Sequence, residues 1–146
     1  EGGGIRPLWR VQSTMKIRIV NSKEEIAKLD PRERVVHLAF PLPAVVLFEL
    51  MKRCPRLKAI EVPPSRFPKL SKPTRCLLEV QGVKVFPGRV WGHRTDIDEY
   101  YTVDEGLILQ RAGELRAEGL DSGEIVAKVA EEAEVSPGLV GFILGR

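Results

Sequence analysis

Apolar and polar residues alternate along Lys16-Ile17-Arg18-Ile19-Val20, and three of the five are β-branched, which predicts a strand. Asn21-Ser22 stops it. Ser22 with Glu25 three residues on has the form of a capping box, so a short helix is expected to follow to Leu29, burying Ile26 and Leu29 and ending at Asp30-Pro31. Val35 to Phe40 is a nearly continuous apolar run, the pattern of a strand buried on both faces. Pro43 opens a helix to Arg53, stopped by Cys54-Pro55. Leu57 to Val62 is the next strand, broken by Pro63-Pro64. Ser71 caps a helix with Pro73 in its first turn and Gly82 at its end, and Val83 to Phe86 is a fourth strand.

Strands alternating with helices predict an α/β fold with a small, mostly parallel sheet. The strand-to-strand spacing falls in the range of leucine-rich repeats, but no Asn or Cys recurs at a ladder position, so a two- or three-layer domain is preferred to a solenoid. From Gly88 the pattern changes. Residues 91–102 are polar, aromatic and turn-prone, and read as a junction between an α/β domain at 15–90 and a helical tail at 103–146. Three tail helices are predicted: Val103 to Glu118, Asp121 to about Ala133 with a second capping box at Asp121 and Glu124, and Ser136 to Leu144.

Composition narrows the class. A chain of 146 residues, 43% hydrophobic and 29% charged, is globular and long enough for a real core. No apolar run approaches the roughly 20 residues needed to span a bilayer, and Glu1 to Pro7 has no secretory pattern, so a cytoplasmic protein with no membrane role is expected. Met15 opens the first strand pattern and reads as a natural start, with residues 1–14 upstream of the fold. Cys54 and Cys76 have neither disulfide-framework nor metal-ligand spacing and are expected to be buried thiols. After Met15 the only amides are Asn21, Gln81 and Gln110, a depletion that suits a thermophilic host. Charge is uneven: residues 1–100 carry 19 Lys+Arg against 11 Asp+Glu, a net +8, and residues 101–146 carry 4 against 9, a net −5. A basic body with an acidic tail fits an anionic partner, or a tail docked on its own body.

Three constellations could carry function. The tail resembles a helix-turn-helix, but groove reading needs Arg, Lys, Asn or Gln on the second helix, and Gly138 to Arg146 offers only the final Arg146. With Glu124, Glu131, Glu132 and Glu134 on the preceding helix, a packing unit is the better reading. The segment Trp91 to Tyr101 follows the last predicted strand, where open α/β sheets bind ligands; His93, Asp96, Asp98 and Glu99 would be its acid–base candidates if the protein is an enzyme. The competing reading docks the tail through Trp91, Tyr100, Tyr101 and, on the last helix, Phe142. Lys52, Arg53, Arg56, Lys58, Arg66, Lys69, Lys72 and Arg75 could form a basic face for nucleic acid, with Phe67 the one interleaved aromatic. His37, in an apolar strand, reads as a satisfied core histidine. There is no Gly-rich phosphate loop, no nucleophile elbow and no zinc spacing, so no cofactor and no metal is expected.

Read together, MKIRIVNSKEEI from Met15, VVHLAF from Val35, CPRLKAIEVPPS from Cys54, QGVKVFPGRVWGHRTDIDEYY from Gln81 and the stretch from Leu115 to Leu144 resemble the archaeal domain-of-unknown-function family 1699, typical of methanogens. The Trp91-to-Tyr101 block is the most specific part. The resemblance implies an archaeal, cytoplasmic host and carries over no activity, cofactor or catalytic residue. The sequence thus points to a non-enzymatic regulatory or partner-binding module, with nucleic-acid binding and a ligand or enzymatic site at residues 91–101 as alternatives. The wholly apolar last helix must be covered by the other tail helices, the body or a second subunit, which favours a homodimer.

Overall fold

The structure is a computed structural model, and it describes residues 14–90 and 99–145. Five strands form one sheet in the order β4-β3-β2-β1-β5: β1 Thr14–Val20, β2 Val35–Leu38, β3 Ala59–Val62, β4 Lys84–Pro87 and β5 Tyr100–Asp104. The first four are parallel, and β5 pairs antiparallel with β1, Ile17 facing Tyr101 and Thr14 facing Asp104. Thr14 therefore belongs to the sheet. The helices are α1 Ala44–Arg53, α2 Lys72–Gln81, α3 Glu105–Ala117, α4 Ser122–Ala133 and α5 Pro137–Leu144.

β1 to β4 run in sequence order, so their connections lie together on one face. Ile26, Leu47, Leu50 and Leu78 from those connections pack on Val36, Leu38 and Ile60 of the sheet. The tail helices cover the opposite face, where Ile108, Leu115, Ile125, Leu139 and Ile143 pack on Ile17, Ile19, Val35 and Phe86. With both faces covered, β2 and β3 are buried at every residue, which is why they read as apolar runs without alternation.

Several local expectations change. Lys23–Lys28 is a 3-10 turn, and the Ser22 side chain does not cap it; Glu25 instead accepts from the Asn21 amide at 3.0 Å. Residues 21–34 span the shortest of the three crossovers, which a tight turn crosses more readily than a full α-helix. β5 occupies residues read as junction and helix start. As an edge strand it takes its pairing from β1, and α3 begins only after Asp104, whose side chain accepts from the Leu107 amide. Cys54 ends α1 and is buried, which pushes its thiol up to about 11. Cys76 is exposed: Thr74 and Leu78 form the inner side of α2, and a residue two from each lies on the outer side.

The caps at Ser71, Asp121 and Ser136 form as expected, the second as a complete capping box. Gly113, inside α3, has open space where a Cβ would stand. Gly113→Ala is expected to stabilise the protein by about 0.5–1 kcal/mol, since it removes only the entropic cost of glycine in a helix. A lowered melting temperature would show that the helix is packed more closely at that point. Among the described residues no helix is long and apolar enough to cross a membrane.

Candidate functional site

Two polar features stand out, one beneath the tail and one at the end of the sheet where the parallel strands begin. The first is enclosed between the sheet and the tail. His37 on β2 and Glu61 on β3 are directly paired across the strands, and both are buried. His37 Nδ1 lies 2.8 Å from Glu61 Oε1, the Tyr101 hydroxyl donates to the same oxygen at 2.8 Å, and the Ser136 hydroxyl donates to Oε2 at 2.7 Å. Burial and the adjacent Glu61 carboxylate raise the Tyr101 pKa well above its usual value, so the phenol remains a donor. Ser136 is also the N-cap of α5, accepting from the Leu139 amide. One carboxylate thus joins β2, β3, β5 and the start of α5. Gly88 is glycine for the same reason, because a Cβ there would collide with the Glu61 carboxylate and the Ser136 hydroxyl. No reacting group in this cluster faces solvent, and its evident work is to hold the tail on the sheet.

The second feature lies where the parallel strands begin. The Lys58 amide donates to the Arg34 carbonyl at 2.7 Å, and the Lys84 amide donates to the Lys58 carbonyl at 3.0 Å. This ladder brings Arg34, Lys58 and Lys84 to one end of the sheet, on backbones about 4.8 Å apart, but Lys84 pairs with Ala59, one residue on from Lys58, so its side chain turns to the opposite face from that of Lys58. All three are exposed, and they line a crevice of about 1060 Å³ together with Lys16 and Arg32. The acids on its described lining are Glu33 and Glu105. Glu33 accepts from the Tyr100 hydroxyl. Arg32 is held by Asp30, whose carboxyl that guanidinium keeps below the ordinary carboxylate range. The far wall is α5, which presents Gly138, Gly141 and Gly145.

A neighbouring recess of about 520 Å³ shares Arg32 and Glu33 with the crevice and is lined also by Arg18, Arg53 and Glu99. Arg18 is buried over the Tyr100 ring and pairs with Glu99 at 2.9 Å.

Trp91, His93, Asp96 and Asp98 lie outside the described residues. Glu99 is exposed and engaged with Arg18. The two tyrosines turn to opposite faces of β5: Tyr101 joins the Glu61 cluster beneath the tail, while Tyr100 contacts Glu33, Lys16 and Arg18 on the other side. Phe142 is half-buried and stacks on Phe86 of β4, with ring centroids 6.1 Å apart. The eight basic residues singled out from the sequence divide between two edges. Lys52, Arg53, Arg56 and Lys58 lie at the end of α1 and in the segment leading into β3. Arg66, Lys69, Lys72 and Arg75 lie beyond the end of β3 and in the first turn of α2. Arg53 donates to the Leu29 carbonyl, and Arg75 donates to the Phe67 and Leu70 carbonyls, so both brace the backbone.

Of the eight, Lys58 alone lines the crevice; its other cations, Lys16, Arg32, Arg34 and Lys84, lie outside the basic face expected from the sequence. A signal for three of them exists in the sequence, since Arg34 stands immediately ahead of the run at Val35, and Lys58 and Lys84 are each the second residue of a predicted strand. Glu61 had a signal too, as a lone acid within Ala59-Ile60-Glu61-Val62. Among the described residues no three His, Cys, Asp or Glu side chains converge as a metal site.

No curated protein and no solved structure matches this chain. Residues 16–99, from β1 to the threshold of β5, match the family of unknown function DUF1699, N-terminal domain, and the chain belongs to that family.

Proposed function

We propose that this protein is a non-enzymatic binding module that takes nucleic acid at the edge where its parallel strands begin. One observation carries the reading. Arg34 and Lys58 stand just ahead of β2 and β3 and Lys84 is the first residue of β4, all three exposed and without an ion-pair partner among the described side chains, on a crevice they share with Lys16 and Arg32. Unpaired cations gathered at one end of a rigid sheet are pre-organised for a phosphate backbone, and releasing condensed counterions drives such binding. The tail contributes a wall rather than charge. Its last helix packs through Leu139, Val140 and Ile143 on the sheet and the other tail helices, which leaves it unsuited to enter a groove. The tail is also part of the core, so the binding test requires the full chain.

Binding should fall steeply with salt. At about 0.7–0.9 counterions per phosphate, five contacts predict a loss of roughly 100- to 500-fold in affinity between about 50 and 200 mM salt. The double variant Lys58→Glu, Lys84→Glu should weaken binding and flatten the log–log salt slope by about 1.5, measured by fluorescence anisotropy. Parent-like affinity in that variant would place any nucleic-acid contact elsewhere on the molecule.

A further inference from the structure

The two edges of the sheet differ. β4 opens with exposed Lys84 and ends at Pro87, which has no amide to donate, and both residues discourage another strand from adding there. β5 carries neither device. Its sequence Tyr100-Tyr101-Thr102-Val103-Asp104 is rich in strand formers, and its register with β1 runs without a bulge from Thr14–Asp104 to Arg18–Tyr100. The Ile19 amide donates to the Glu99 carbonyl at 2.8 Å. Hydrogen-bonded and non-hydrogen-bonded pairs alternate in an antiparallel ladder, so Tyr101 and Val103 direct their backbone groups at β1, whereas those of Tyr100 and Thr102 and the Asp104 amide point away from the sheet. Among the described residues no backbone group meets them. Beside this edge, on the tail side, lies a groove of about 380 Å³ lined by Val103, Leu107, Val129 and Val135, with Leu107 48% exposed. The last helix supplies no such surface, since Leu139, Val140 and Ile143 are buried within the chain.

We propose that β5 is the interface of a homodimer: two copies join edge to edge, antiparallel about a twofold axis at Thr102, and their five strands each make one ten-stranded sheet. A second copy is the occupant because the edge is complementary to itself. Thr102 faces Thr102, a pairing that favours strand association, and each amide donates to the other's carbonyl. Tyr100 faces Asp104 of the second copy. Lys16 Nζ and Arg18 Cζ already lie 5.4 and 5.5 Å from the Tyr100 ring centroid, so that acid comes alongside two cations, and no like charges stand directly opposite. Both tails stay on one face of the joined sheet, which sets the two apolar grooves side by side. This dimer is independent of the nucleic-acid reading.

The test is sedimentation of the full chain over a dilution series, with Thr102→Lys and Thr102→Pro measured beside it. The parent is expected to sediment at twice the 16.3 kDa of one chain when concentrated and to dissociate on dilution. Thr102→Lys sets two cations opposite each other, next to Lys16 of each copy, and Thr102→Pro removes an outward amide that β1 does not use. Each should keep the far-UV circular dichroism of the parent and raise the dissociation constant about tenfold or more. Exchange of the Thr102 amide, followed by NMR, should slow as the parent is concentrated and not in Thr102→Lys. Should Thr102→Pro unfold, Thr102→Lys carries the test, because Thr102 is exposed. A parent that is monomeric at every concentration, with the Thr102 amide protected or not, would overturn the inference. So would an assembly larger than a dimer, or a dimer that Thr102→Lys leaves as tight as the parent.

Discussion

Replacing Glu61 by Ala is expected to cost about 3–5 kcal/mol, the range for removing one member of a buried charged or hydrogen-bonded group. Three donors lose this acceptor at once: His37 Nδ1 and the hydroxyls of Tyr101 and Ser136. A buried donor deprived of its partner costs about 1–3 kcal/mol, so the total is set by how far water can reach the vacated space. For a chain of this size the melting temperature should drop by roughly 10–15 °C. The loss should also be local before it is global. Ser136 begins α5 and Tyr101 lies on β5, so amide exchange should accelerate in the tail ahead of β2 and β3. Glu61→Gln should cost less, because its amide oxygen still accepts. An unchanged melting curve for Glu61→Ala would mean that the tail is held by apolar packing alone.

Leu139→Ala is expected to cost about 2–5 kcal/mol, the range for truncating a fully buried leucine and leaving a cavity. Leu139 lies on the inner side of α5 with Val140 and Ile143, against the sheet and the other tail helices. Eight residues are too few to be helical alone in water, so the order of α5 depends on that contact. Phe48→Ala on α1 is the matched control: Phe48 is 59% exposed, and its truncation should change stability by no more than about 0.5 kcal/mol. Equal costs for the two substitutions, read from denaturant midpoints, would mean that α5 is not docked in solution.

The two predictions concern the same interface from its polar and its apolar sides. Glu61 is buried and pairs with Phe86 of β4, and its single carboxylate with three donors fixes where α5 starts while the apolar contacts between tail and sheet supply most of the attraction. The same docking forms the crevice where the parallel strands begin, since its far wall is α5. On the proposed function, a variant that loosens the tail should therefore weaken nucleic-acid binding as well, and binding should be compared only among variants that melt like the parent.

What the amino-acid sequence determined by itself was local. Apolar runs at Val35 and Leu57 marked strands covered on both faces. Ser71, Asp121 and Ser136 marked helix starts, because a capping side chain and the amide it satisfies are three residues apart. The order of strands and helices then allowed little besides a parallel sheet. Tertiary structure decided whatever depends on residues distant in the chain. Tyr100–Asp104 is a strand because β1 lies beside it, and nothing within those residues names that partner. Glu61 meets His37, Tyr101 and Ser136, residues 24, 40 and 75 positions away, so its role as a hub could not be read from any local spacing. Arg34, Lys58 and Lys84 are scattered along the chain and become neighbours only because parallel strands begin at a common edge. Local propensity acts over a few residues, whereas a site is assembled by pairing and packing, and its identity appears only once the sheet has set the register.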